Sequence, residues 1–177
     1  IAVDSNGDVW IATPLGVFLK KNGEKSWVHA IPQEEQGPSF AVEADGNSVV
    51  WMSTWSSIYR SKDNKPERMP GAVSPISSLC VAKEGVYALG PHGVWLYSDE
   101  GCEKQGYPIA RSIRDVVSDN NKGLWIATDV GLYHSTPQST KHLVGEDELI
   151  SAYIRGVAVN EEQVWAGGLG GVTILQD

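Results

Sequence analysis

The 177-residue chain reads as an all-β protein of about five repeated, four-stranded antiparallel sheets, the last incomplete. Three observations predict this. A nine-residue motif recurs through the chain, a short apolar run and a polar turn precede each copy, and no long stretch carries the 3.6-residue apolar period of an amphipathic helix. The clearest copy is Trp125-Ile126-Ala127-Thr128-Asp129-Val130-Gly131-Leu132-Tyr133, and the others are Trp10–Phe18, Trp51–Tyr59, Tyr87–Trp95 and Trp165–Thr173. The leading aromatics lie 41, 36, 38 and 40 residues apart, each six residues before Gly16, Ser57, Gly93, Gly131 or Gly171.

Each unit has the same elements in the same order. The apolar runs Ile1-Ala2-Val3, Phe40-Ala41-Val42, Leu79-Cys80-Val81, Val116-Val117 and Val157-Ala158-Val159 are first strands. Polar turns follow, such as Ser5-Asn6-Gly7-Asp8, Ala44-Asp45-Gly46-Asn47 and Asn120-Asn121-Lys122-Gly123. Asn and Gly tolerate positive φ and so favour hairpin turns. The motif supplies the second strand, a tight turn at its Gly and the third strand. Fourth strands are read at Ser26–His29, Glu67–Met69, Lys104–Tyr107 and Lys141–Val144. The fifth unit stops at Gln176-Asp177 without one, and Glu146–Ile150 reads as a helical turn or a loop.

Four short antiparallel strands in about 40 residues is the period of a β-propeller blade, whose faces are buried only when blades stack. The expected blades are approximately 1–31, 32–71, 72–109, 110–146 and 147–177 of a single propeller. A larger ring with further blades outside this sequence is favoured over a closed ring of five. The opening Ile1-Ala2-Val3 has neither an initiator Met nor a signal peptide, and the chain reads as an excerpt of something longer.

Hydrophobic residues make up 41% of the chain and charged residues 20%, an ordinary globular balance. No apolar run approaches the ~18 residues of a membrane span. A net charge of −8 argues against nucleic acid or an anionic membrane as partner. Cys80 and Cys102 fall in one unit. Either they form a bridge, or Cys80 is buried in a first strand and Cys102 exposed on a turn.

The run Gly123-Leu124-Trp125-Ile126-Ala127-Thr128-x-x-Gly131-Leu132-Tyr133 behind its Asn-rich turn resembles the two-component regulator propeller repeat. The likeness extends over essentially the whole chain. It is strongest in the first and fourth units and weakest in the third, where Tyr87 replaces Trp and Gly90 replaces Thr. The resemblance implies an extracytoplasmic, periplasmic sensor propeller of bacterial hybrid histidine kinases and related regulators, many of which respond to glycans. It also implies that any kinase module lies outside this segment. That family has no universal ligand-binding residues to carry over. A looser resemblance, to the propeller of streptogramin-inactivating lyases, rests on Asp-Gly-x-Trp wording and lacks that family's Trp-Phe-Thr-Glu.

Candidate site residues lie on the turns between second and third strands, whose content varies while the frame repeats. Trp55 sits outside the aromatic positions that the fold uses and suits stacking on a sugar, or else caps a neighbouring blade. His92 is a ligand contact or a solvated turn residue, and Asp129 a binding group or a turn cap. Arg114 and Arg155 occupy equivalent places in Ile113-Arg114-Asp115-Val116 and Ile154-Arg155-Gly156-Val157. Together they would hold a carboxylate or sulfate, or pair structurally with Asp115 or Glu148. Arg111 and Tyr153 share those loops and carry less weight.

No Ser-His-Asp set, Gly-x-Ser-x-Gly elbow or metal-spaced histidine cluster is legible, and no cofactor is expected. Gly167–Gly171 is a turn, and Asp4-Ser5-Asn6-Gly7-Asp8 is a hairpin turn rather than a calcium loop. The leading expectation is a non-enzymatic propeller binding a small molecule or glycan. A protein-interaction scaffold is the alternative, and a propeller lyase a weaker one.

Overall fold

The computed structural model describes residues 1–177 except 33, 34, 36, 72–74, 99, 108–111, 120–122, 146, 147, 161, 162 and 177. Arg111, most of the Asn120-Asn121-Lys122 turn and the start of the Glu146–Ile150 segment therefore lie outside the described residues. Among the described residues there is no α-helix, and hence none long and apolar enough to cross a membrane.

The chain forms five separate antiparallel sheets of four, four, four, four and three strands. The first holds β1 (Ala2–Val3), β2 (Val9–Thr13), β3 (Gly16–Lys20) and β4 (Val28–His29). The second holds β5 (Ser39–Ala44), β6 (Val49–Thr54), β7 (Ile58–Lys62) and β8 (Lys65–Met69). The third holds β9 (Ser78–Ala82), β10 (Gly85–Gly90), β11 (Gly93–Ser98) and β12 (Gly101–Gln105). The fourth holds β13 (Ile113–Ser118), β14 (Leu124–Thr128), β15 (Gly131–Ser135) and β16 (Thr140–Leu143), and the fifth β17 (Ile154–Val159), β18 (Gln163–Gly168) and β19 (Gly171–Gln176). Strand order follows the sequence in every sheet, so each is a meander closed by short turns.

The chain divides into two compact units, Ile1–Val81 and Ala82–Asp177. In the first, Trp10, Val17 and Leu19 of one sheet pack with Val42, Val50, Met52 and Tyr59 of the next. In the second, Trp125, Ala127 and Leu132 pack with Ile154, Val164 and Ala166 across the fourth and fifth sheets. The motif indole is thus an inter-sheet wedge, and burying a side chain of this size contributes about 3 kcal/mol of transfer free energy.

The local chemistry of the motif is equally regular. An aspartate stands six residues before the motif Trp in three units, at Asp4, Asp45 and Asp119. Asp4 Oδ1 accepts the amides of Asn6 at 2.9 Å and Asp8 at 3.1 Å, while its Oδ2 accepts Trp10 Nε1–H at 3.1 Å. Asp45 Oδ1 accepts the amides of Asn47 and Val49. Side chains that bond the backbone two residues on make such turns. This is why the acidic run beginning at Asp4 is a hairpin turn, its lead carboxylate already engaged by three donors.

In the fourth unit Asp119 accepts the Gly123 amide but turns its second oxygen to His134 Nε2, 2.9 Å away. His134 stacks flat on Trp125 at 4.2 Å, and the buried Trp125 Nε1–H has no acceptor among the described residues. One histidine thus changes the partner used at an otherwise repeated position.

Three expectations need correction. Cys102 lies half-buried within β12, paired opposite Tyr97, and Cys80 and Cys102 are not joined in a disulfide. The fourth strand of the third sheet starts at Gly101, earlier than Lys104, because Ser98 pairs with Gly101 across a two-residue connection. The first strand of the fourth sheet begins at Ile113, so Arg114 belongs to a strand and not to a linking segment.

Candidate functional site

A repeated irregularity organises the variable residues. In β5 the register runs Ser39 opposite Thr54, then Ala41 opposite Ser53, leaving Phe40 unmatched. In β13 Ile113 faces Thr128 and Asp115 faces Ala127, leaving Arg114 unmatched. In β17 Ile154 faces Gly168 and Gly156 faces Gly167, leaving Arg155 unmatched. A bulge at one position thus re-aims one side chain per sheet, as bulges beside functional sites commonly do. All three side chains are exposed.

The turn between second and third strands stands beside each bulge. In the motif Ala-Thr-x-x-Gly, the Thr128 hydroxyl donates to the Gly131 carbonyl at 2.7 Å and accepts the Val130 amide at 3.2 Å. Thr13 and Thr54 make the same pair of contacts. The threonine therefore ties the turn to its own strand and leaves the next residue, Trp55 or Asp129, free to vary. In the fifth sheet Gly168 takes the threonine's place. A Cβ there would stand 2.3 Å from the Tyr153 carbonyl oxygen, so the close approach of this backbone accounts for the substitution.

Bulge residue and first turn residue meet in pairs. In the second sheet, Phe40 and Trp55 lie with ring centroids 6.0 Å apart at 46° and are 43% and 58% exposed. The Trp55 amide donates to the Pro38 carbonyl at 2.7 Å, fixing the indole's base. Beside this turn, Ser56, Ser57, Ile58, Arg68, Met69, Pro70 and Gly71 line a groove of about 350 Å³.

In the fourth sheet, Arg114 Nε and Nη2 donate to Asp129 Oδ1 and Oδ2 at 2.6 and 2.8 Å, a bidentate pair. The Arg114 hydrogen bonds hold the Asp129 carboxyl below its ordinary range, and bonds from Ser112 and Tyr153 act in the same direction. The partner of Arg114 is thus Asp129, and neither Asp115 nor Glu148. Asp115 is engaged by the amides of Val116 at 2.9 Å and Val157 at 3.0 Å, and Glu148 accepts the Val144 amide.

The equivalent pair in the fifth sheet is Arg155 and Leu169, and leucine offers no acceptor. The Arg155 guanidinium carbon lies 5.4 Å from the centroid of the Tyr153 ring, and that of Arg114 lies 5.6 Å from the same ring. Among the described residues no carboxylate stands within ion-pair distance of Arg155.

The structure accordingly brings Arg114, Arg155 and Asp129 together around Tyr153. His92 is exposed on the turn between β10 and β11, with no hydrogen bond or ion pair among the described residues. Trp55 lies beside Phe40 in the second sheet. Phe40 was missed by sequence reasoning, although its position matches those of Arg114 and Arg155. Each stands three residues before the residue paired with the motif Trp: Glu43, Val117 and Ala158.

The Asp115 contact yields a stability prediction. Its carboxylate spans from β13 to the amide of Val157 in the neighbouring sheet, so Asp115→Ala orphans two partly buried donors. Urea denaturation of the variant should show a loss of about 1–3 kcal/mol, and Asp115→Asn should recover part of it.

Repeated four-stranded meanders stacked through their motif tryptophans define a β-propeller. Solved structures agree on this fold. The chain is similar to the extracellular domain of a putative hybrid two-component system from B. thetaiotaomicron, with a TM-score of 0.77 and 16% identity over 98% of this chain and 26% of that one. It is also similar to YCF48 bound to D1 peptide, with a TM-score of 0.70 and 20% identity over 99% of this chain and 63% of that one. BamB from Moraxella catarrhalis matches with a TM-score of 0.64 and 15% identity over 100% of this chain and 59% of that one. The chain spans about a quarter of the length of the B. thetaiotaomicron domain. No family model and no curated protein sequence matches it.

Proposed function

We propose that this chain is a ligand-binding segment of an extracytoplasmic sensor propeller in a signalling protein, with carbohydrate as its ligand class and the output chemistry carried elsewhere. One observation carries the reading: an exposed pair of aromatic rings, Phe40 and Trp55, held on a bulge and a tied turn of a rigid sheet. A water-exposed aromatic pair is a mark of a binding surface, and aromatic faces stack on the apolar faces of sugar rings. The likeness to an extracellular domain of a two-component system supports both the sensor role and the location.

A glycan array followed by titration calorimetry tests this. Trp55→Ala and Phe40→Ala should each weaken binding of the retained glycan at least tenfold, consistent with loss of stacking worth about 1–1.5 kcal/mol or more. Thermal melting should be nearly unchanged, because both side chains are exposed. Binding that survives both substitutions would remove this platform from consideration.

A protein-interaction scaffold is the second reading, favoured by the similarity to YCF48 bound to a peptide. Capture of one stable protein partner, with no glycan retained on the array, would select it.

A further inference from the structure

The paired positions of bulge and turn act as a two-residue code, and the fifth sheet leaves that code open. Arg114 and Arg155 occupy the same place in successive sheets, yet Asp129 neutralises the first while Leu169 cannot neutralise the second. Leu169 is 59% exposed, and its amide donates to the Tyr153 carbonyl at 3.3 Å, as the Trp55 amide does to Pro38. The two turns share this backbone anchor, although Gly168 replaces the tying threonine, and the missing acceptor is a matter of the side chain at position 169. The Arg155 guanidinium carbon lies 5.4 Å from the centroid of the Tyr153 ring, so the side chain has an aromatic surface to rest on.

From this we infer that Arg155, backed by Tyr153, is an anion subsite that receives the carboxylate of an acidic sugar, with Arg114 masked by Asp129. The inference rests on the carbohydrate reading above but on different residues. A guanidinium presents a planar fork of donors that matches a carboxylate edge-on, and an arginine already stacked on a ring loses less freedom on binding. Against the chain's net charge of −8, a locally uncompensated cation such as Arg155 is a place where an acidic ligand can approach.

The code makes the test specific. Oligosaccharides ending in glucuronate are compared with their glucose-ended counterparts by calorimetry, using the whole chain. The wild type should prefer the uronate about tenfold or more. Arg155→Ala should abolish the preference, and Leu169→Asp should abolish it too, by giving Arg155 the internal partner that Arg114 has. Leu169→Asn, which matches the size without the charge, should retain it. Asp129→Ala should raise the preference severalfold by unmasking Arg114.

An undiminished preference in Leu169→Asp overturns the inference, as does equal binding of both sugars by the wild type. Arg155-dependent binding of a glutamate-rich peptide without uronate binding overturns the assignment to an acidic sugar. Failure of all sugars to bind would instead strike the carbohydrate reading itself, which Trp55→Ala tests separately.

Discussion

Trp10→Ala is expected to destabilise the chain by about 3–5 kcal/mol, the range for truncating a large buried aromatic. The indole is 1% exposed and fills the space between the first and second sheets, against Val42, Val50 and Met52. Truncation leaves a cavity that two stacked sheets cannot close without breaking their own ladders. It also removes the Nε1–H donor from Asp4, a residue that is itself only 7% exposed. Trp10→Phe separates the two losses. It keeps most of the ring volume and forfeits the hydrogen bond, so about 1–2 kcal/mol should be lost. Urea denaturation followed by far-ultraviolet circular dichroism measures both. Equal midpoints for wild type and Trp10→Ala would deny the indole its role as wedge.

Gly131→Ala should be nearly as damaging, at about 2–4 kcal/mol, because two penalties coincide there. The backbone adopts φ of +130°, a region that side chains avoid. A Cβ would also stand 2.4 Å from the Leu143 carbonyl oxygen and 2.6 Å from a Val144 methyl. Relief requires β15 to part from β16, which frees Leu143, a buried member of the core of this unit. Gly101 is the matched control. Its φ is +129°, but a Cβ there meets nothing within 4 Å. Gly101→Ala should therefore cost only the backbone term, about 1–2 kcal/mol. If the two variants melt alike, the packing argument fails and only the dihedral argument stands.

The contrast between these glycines bears on what can be read from a linear chain. Both have the same backbone need, and hairpin positions announce it through spacing alone. Only the packed fold distinguishes a glycine pressed against a neighbouring carbonyl from one facing open space. The same holds for the acceptors. Asp115 stands next to Arg114 in sequence and is the obvious partner, yet neighbouring side chains of a strand point to opposite faces and the two take separate partners. Asp115 goes to Val157, and Arg114 reaches Asp129 on the adjoining turn. Phe40 was lost for the same reason, since it reads as an ordinary apolar residue opening an apolar strand.

Sequence alone determined the architecture of this protein. Its signals are local: two-residue alternation, Asp-led hairpins, threonine-tied turns and an indole six residues ahead of a turn residue, which each unit must satisfy within itself. Tertiary structure alone decided which arginine is neutralised, which is free, and which aromatic residues share a surface. A bulge places one extra residue in a strand opposite a single partner residue, and only the pairing of the two strands shows which side chain it re-aims.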